Sequence, residues 1–150
     1  MPLAQGKRPA NLNKAIIFKA GRKLWACNLD NVKEIVRTSK ISSLPNSLKS
    51  VVGVINVRGE VIPVIATWPG LQETFDKNNN KKNNLVVLLK ESSSTTIGLL
   101  VEEVSAIEKI DAYDFDSNDG GTYFVHLSNS GQLPLIDGKV ILDYLKGNLD

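Results

Sequence analysis

Cys27 and His126 are the only thiol and the only imidazole in the chain. A thiol activated by an imidazole is the smallest set that supports nucleophilic catalysis, but no local signature accompanies either residue. Zinc takes about four nitrogen, sulfur or oxygen ligands, so one Cys and one His fall short. The acidic residues at 102–103 and 111–119 lack EF-hand spacing and read more simply as solvated turns. Neither GxxxxGK[ST] nor GxGxxG occurs, so phosphate cradling has no motif. The residues therefore suggest no catalytic set, no metal and no cofactor. Cys27 and Trp25 read as packing, and a lone His on an alternating strand reads as structural or exposed.

Glu34 and Arg58 are a different matter. Both are charges embedded in apolar β-type sequence, where an unpaired buried charge is costly. Exposure at a strand end or hairpin tip avoids that cost. Arg58 precedes Gly59, so a tight turn would present its planar fork in a defined direction. Val32 and Ile35 nearby would supply an apolar centre with the charges at its rim, as interfaces do. The plainer alternative is a solvated surface pair.

The elements that must position these residues centre on Leu44–Leu71. Two apolar runs, Val51–Val57 and Val61–Ala66, flank Arg58-Gly59-Glu60 and read as a β-hairpin. Both runs are apolar on both faces of the pleat, so the hairpin asks for protein on each side. Pro63 cannot donate to a ladder and marks an edge or a barrel seam. Thr67 reads as an N-cap with Pro69 in a first helical turn.

Residues 1–13 are polar with two prolines and read as a disordered arm. Ala15–Ala20 and Lys23–Cys27 are strands about a Gly21-Arg22 turn. Asp30 can cap a short helical turn carrying Val32 and Ile35. The Asn/Lys-rich run around 72–84 reads as a loop joining two β units. Leu85–Leu89 and Ile97–Val101 form a second hairpin. Val104, Ile107 and Ile110 at spacing three fit a helical turn or an irregular strand. Tyr123–Leu127 and Leu133–Ile136 are strands, and Lys139–Leu149 reads as a terminal helix with Val140, Leu142 and Leu145 inward, or as a strand running into a helix. A length of 150 residues, 42% apolar and 23% charged content and a net charge of +2 describe an ordinary globular domain without a polyanion-binding bias. No apolar run reaches about 18 residues, and the opening lacks a signal-peptide core. An oligonucleotide-binding barrel would need exposed aromatics in a basic groove, whereas Phe18, Trp25, Tyr123 and Phe124 lie in strands where packing accounts for them.

Laid out in order, the chain resembles the CheW-like family, the adaptor domain of bacterial chemotaxis arrays. The resemblance covers residues 14–147. It rests on Val32-Lys33-Glu34-Ile35, Leu44-Pro45, Gly53-Val54-Ile55-Asn56-Val57-Arg58-Gly59 with Pro63-Val64, and Gly98-Leu99-Leu100-Val101-Glu102-Glu103-Val104 with Ile107. The chain departs from the family pattern at Ala66-Thr67-Trp68, where Asp-Leu-Arg is usual, and at Glu102, where Asp is usual. The resemblance implies an all-β fold of two linked five-stranded, SH3-like β-barrel lobes with a short C-terminal helix, and no enzymatic activity. It implies two partners, the regulatory domain of a CheA-type histidine kinase and the cytoplasmic tip of a chemoreceptor, and a cytoplasmic location at receptor arrays. It places Val32, Glu34, Gly53, Arg58 and Ile107 on the receptor-facing surface and leaves the kinase contact unassigned. A divergent module serving another kinase pathway, such as twitching motility, or filling array rings without kinase contact, is the alternative within the same fold.

Overall fold

The structure, a computed structural model, describes residues 8–9, 14–38, 40–43, 50–68, 71, 84–90, 95–116 and 122–147. The first sheet holds β1 (Arg8–Pro9), β2 (Lys14–Ala20), β3 (Lys23–Asn28), β9 (Glu103–Asp116), β10 (Thr122–Leu127) and β11 (Gly131–Pro134). The second holds β4 (Val32–Thr38), β5 (Val51–Val57), β6 (Glu60–Ile65), β7 (Asn84–Lys90) and β8 (Thr96–Val101). A 3-10 turn, Leu29–Asn31, joins the sheets, and α1 (Gly138–Gly147) follows β11.

The first sheet runs β11-β10-β9-β2-β3, with β1 added to β9 through Arg8–Tyr113 and Pro9–Ala112. The second runs β4-β7-β8-β6-β5. All neighbouring strands are antiparallel except β6 and β8, which pair in parallel at Val64–Gly98 and Ile65–Leu99. Two five-stranded groups and a short terminal helix match the expected architecture. The closed SH3-like barrels do not: among the described residues no ladder joins β3 to β11, Ala26 forming only an isolated bridge with Leu135 just beyond β11, and no ladder joins β4 to β5. The β5 edge is partly occupied instead by Ser42, which exchanges backbone hydrogen bonds with Val54 at 2.9 and 2.8 Å.

Three apolar clusters explain why several strands are hydrophobic on both faces. Ile17, Ala26, Ile110 and Val125 fill the inside of the first sheet. Ile55, Ile62, Val64, Val86, Leu88 and Leu100 fill the inside of the second. Between the sheets lies a shared core of Ile16, Phe18, Trp25, Cys27, Ile65, Trp68, Val87, Leu89, Leu99 and Ile141 of α1. Strand β7 alternates strictly, Val87 and Leu89 into the shared core, Val86 and Leu88 into the second sheet's own. Trp68 packs edge-to-face on Phe18 and Trp25, with ring centroids 6.1 and 5.6 Å away.

Several local expectations change. Val104, Ile107 and Ile110 belong to one long strand, because β9 pairs with β2 over its first half and with β10 over its second. The turn after β3 is capped by Asn28, whose side chain accepts from the Asp30 N–H, and it ends at Asn31, so Val32 and Ile35 lie on β4. Thr67 caps no described helix; its hydroxyl donates to Ser50 Oγ at 2.8 Å. Pro63 sits just before the short β6–β8 ladder, on a stretch paired only with β5. Apart from Arg8–Pro9, which form a strand, the arm over 1–13 lies outside the described residues, as do Leu44-Pro45 and the loop expected over 72–84 up to Asn84. No described helix is long and apolar enough to cross a membrane.

On β9, Glu108 is buried and straps the β10–β11 hairpin to the sheet. Its carboxylate accepts from the Asn129 and Ser130 N–H groups at 2.9 Å each, and from the Ser130 hydroxyl. Burial pushes its carboxyl up, but these three hydrogen bonds outweigh it and hold the group below the ordinary carboxylate range.

Candidate partner-binding site

The β5–β6 hairpin closes through two residues, Arg58 and Gly59, between the paired Val57 and Glu60. Both have positive φ, 50° and 87°, the backbone of a turn whose twist matches its strands. Gly59 takes this conformation freely; Arg58 does so against its own Cβ. The Asn56 side chain accepts from the Gly59 N–H at 2.9 Å and fixes the tip.

From that turn, Arg58 reaches across to β4. Its Nη1 donates to Glu34 Oε2 at 3.1 Å and its Nη2 to Glu34 Oε1, a bidentate pair. Beside it, Lys33 Nζ donates to Glu60 Oε1 at 3.2 Å. The two ion pairs cross the gap where β4 and β5 lack a ladder. The hydrogen bonds from Arg58, opposed by desolvation and aided by the charges of Arg58 and Lys33, hold the Glu34 carboxyl below its ordinary range. The same contact raises the Arg58 guanidinium further above its already high value. The arrangement leaves Arg58 67% exposed and Glu34 32% exposed.

The other residues expected on a receptor-facing surface fall in distinct places. Val32 opens β4 and packs against the shared core. Ile35 is 39% exposed on the same strand. Gly53 is buried under the chain segment that carries Ser42; a Cβ there would stand 2.8 Å from Ile41 Cγ2 and press closer still on the Ser42 carbonyl oxygen. Its need for glycine is therefore a close backbone approach. Ile107 stands on β9 of the other sheet, 55% exposed and directly opposite Ile16. The structure thus joins Glu34 to Arg58 and keeps Val32 on the strand of Glu34, while Gly53 acts beneath the surface and Ile107 stands on the other sheet. The Lys33–Glu60 pair was not expected; adjacent opposite charges at 33–34 and 58–60 were its only sequence signal.

The residues weighed for catalysis stand apart. Cys27 is buried in the shared core, where desolvation, with the Asp137 charge in second place, pushes its thiol well above the ordinary range. His126 lies on β10, separated from β3 by β9 and β2, with Nε2 3.5 Å from Asp114 Oδ2. Among the described residues no three His, Cys, Asp or Glu side chains gather as a metal site. Phe18 and Trp25 are buried and offer no stacking platform.

Residues 14–143 match the model of the CheW-like domain. The chain belongs to the CheW-like family. Among curated proteins it is 26% identical over 129 residues to the chemotaxis protein CheW of Thermotoga maritima, covering 86% of this chain and 82% of that one. Its fold is similar to that of the scaffolding protein TtCheW from Thermoanaerobacter tengcongensis, with a TM-score of 0.63, 19% identity and 86% of each chain covered. The shared CheW-like domain thus spans both sheets and reaches into α1.

Proposed function

We propose that this chain is a non-enzymatic coupling adaptor that holds the regulatory domain of a CheA-type histidine kinase against the cytoplasmic tip of a chemoreceptor, working in the cytoplasm at receptor arrays. The observation that carries this reading is Arg58, held in a left-handed turn and aimed at Glu34 on an exposed edge. Non-glycine residues in that conformation collect at functional sites, where the surrounding structure enforces them. Val32 and Ile35 supply apolar surface beside the pair, and Ile107 adds a second contact at the rim. A receptor shift transmitted through two sheets with a common core changes kinase geometry, and coupling of about 1–3 kcal/mol suffices for such control.

Titration of a receptor-tip fragment against wild type and Arg58→Glu tests the reading. The variant is expected to bind at least about tenfold more weakly with its melting temperature nearly unchanged. Equal affinities would return Glu34 and Arg58 to the role of a solvated pair.

A second reading, a module of another kinase pathway, draws on Trp68, which fills the shared core where the family usually places Arg. Co-purification with the native kinase and receptor separates the two.

A further inference from the structure

Lys14 on β2 and Lys109 on β9 are directly opposite each other in the antiparallel register. Opposed residues project to the same face about 5 Å apart, and like charges there are destabilising. At the far end of the same ladder the signs are matched, Lys19 opposite Glu103. Among the described residues neither Lys14 nor Lys109 makes an ion pair or side-chain hydrogen bond. The neighbouring Glu108 points to the other face and is occupied by Asn129 and Ser130. Asp111, the bulged residue of β9 two positions from Lys109, accepts from the Ser128 hydroxyl at 3.5 Å. Two residues along each strand, on that same face, stand Ile16, buried, and Ile107, 55% exposed. The face therefore presents an exposed isoleucine bordered by two cations that form no ion pair among the described residues.

We propose that Lys14, Lys109 and Ile107 form a docking surface for an acidic protein segment, one that seats an apolar side chain on Ile107 and directs carboxylates to the two lysines. Charge complementarity selects that occupant: carboxylates would relieve the repulsion between the lysines, and the apolar contact would cover Ile107. The inference rests on the receptor-coupling reading and assigns the segment to the receptor tip.

The test titrates the receptor-tip fragment against the full chain at low and high salt. Lys14→Glu/Lys109→Glu is expected to bind at least about tenfold more weakly, and Lys14→Arg/Lys109→Arg like wild type. The milder Lys14→Gln/Lys109→Gln should fold, bind more weakly and lose part of the salt dependence. Lys109→Glu alone should raise the melting temperature by turning a like pair into an opposite one. Wild-type affinity in all lysine variants, with Arg58→Glu still weakened, overturns the inference and leaves the adaptor reading intact. Absence of binding by wild type overturns both. Lysine-dependent binding to phosphatidylserine vesicles or duplex DNA, with fragment affinity unaffected, would assign the cations to another anion and also overturn it.

Discussion

Val32 and Glu34 are two residues apart on one strand, yet they face different cores. Val32 pairs with Leu89, which belongs to the shared core, and Glu34 with Leu88, which belongs to the second sheet's interior. Lys33 is the extra residue of a β-bulge between them. The bulge lets Val32 pack inward while Glu34 emerges beside Arg58.

Deleting Lys33 should consequently be tolerated. The shortened strand keeps Val32 opposite Leu89 and Glu34 opposite Leu88 without a bulge, losing only an exposed ion pair. A cooperative thermal transition within a few degrees of wild type is expected. Deleting Ile35 instead slips the register and turns one side of the strand to the wrong face, and should abolish the transition.

Arg58→Asn separates stability from binding. Asn-Gly is the favoured pair for a turn with two positive φ values, so the melting temperature should hold or rise. The bidentate contact to Glu34 is lost, and affinity for a receptor-tip fragment should fall at least about tenfold. Arg58→Lys should weaken binding as well, because an ammonium cannot reproduce the fork. An Asn variant that binds like wild type would remove the guanidinium from the site.

Glu108 predicts a pH dependence. Its folded-state carboxyl titrates below the ordinary value of 4.5, so its contribution is fully present above that value and is lost as the pH falls through the lower folded-state value. Glu108→Gln should cost about 1–3 kcal/mol at neutral pH by leaving buried donors poorly matched. Its stability should fall less steeply in acid, the two proteins converging at the lowest pH. Urea titrations across the acid range read this directly; parallel curves would contradict it.

Trp68→Ala should destabilise the fold by about 3–5 kcal/mol, the range for emptying an aromatic site in a core. Trp68→Phe should cost much less, because the indole N–H has no hydrogen-bond partner among the described residues. Urea unfolding of both variants distinguishes packing from a hidden polar contact.

The parts of the fold legible in the sequence were those set by neighbouring residues. Val51–Ile65 reads as a hairpin because β-branched runs flank Arg58-Gly59, and its two-sided apolarity correctly demanded cover on both faces: Ile62 and Val64 enter one core and Ile65 the other. Strand β9 was ambiguous because Val104, Ile107 and Ile110 fall three apart by coincidence of a bulge and a change of partner strand. The expected exposure of Glu34 and Arg58 follows from desolvation cost alone, but their direct contact depends on the gap between β4 and β5, which no local pattern encodes. The lysine pair was hidden for the same reason: Lys14 and Lys109 meet only through the register of strands distant in sequence.

The chain enters the first sheet with β2 and β3, leaves it to build the whole second sheet from Val32 to Val101, and returns with β9 to β11. During synthesis the second sheet has all its strands long before the first has its middle. Until β9 emerges from the ribosome, β2 lacks one neighbour and one side of the common core has only a two-stranded lid. Such an order favours early consolidation of the inserted half and late closure by the C-terminal strands, with the long-range β2–β9 pairing setting the pace.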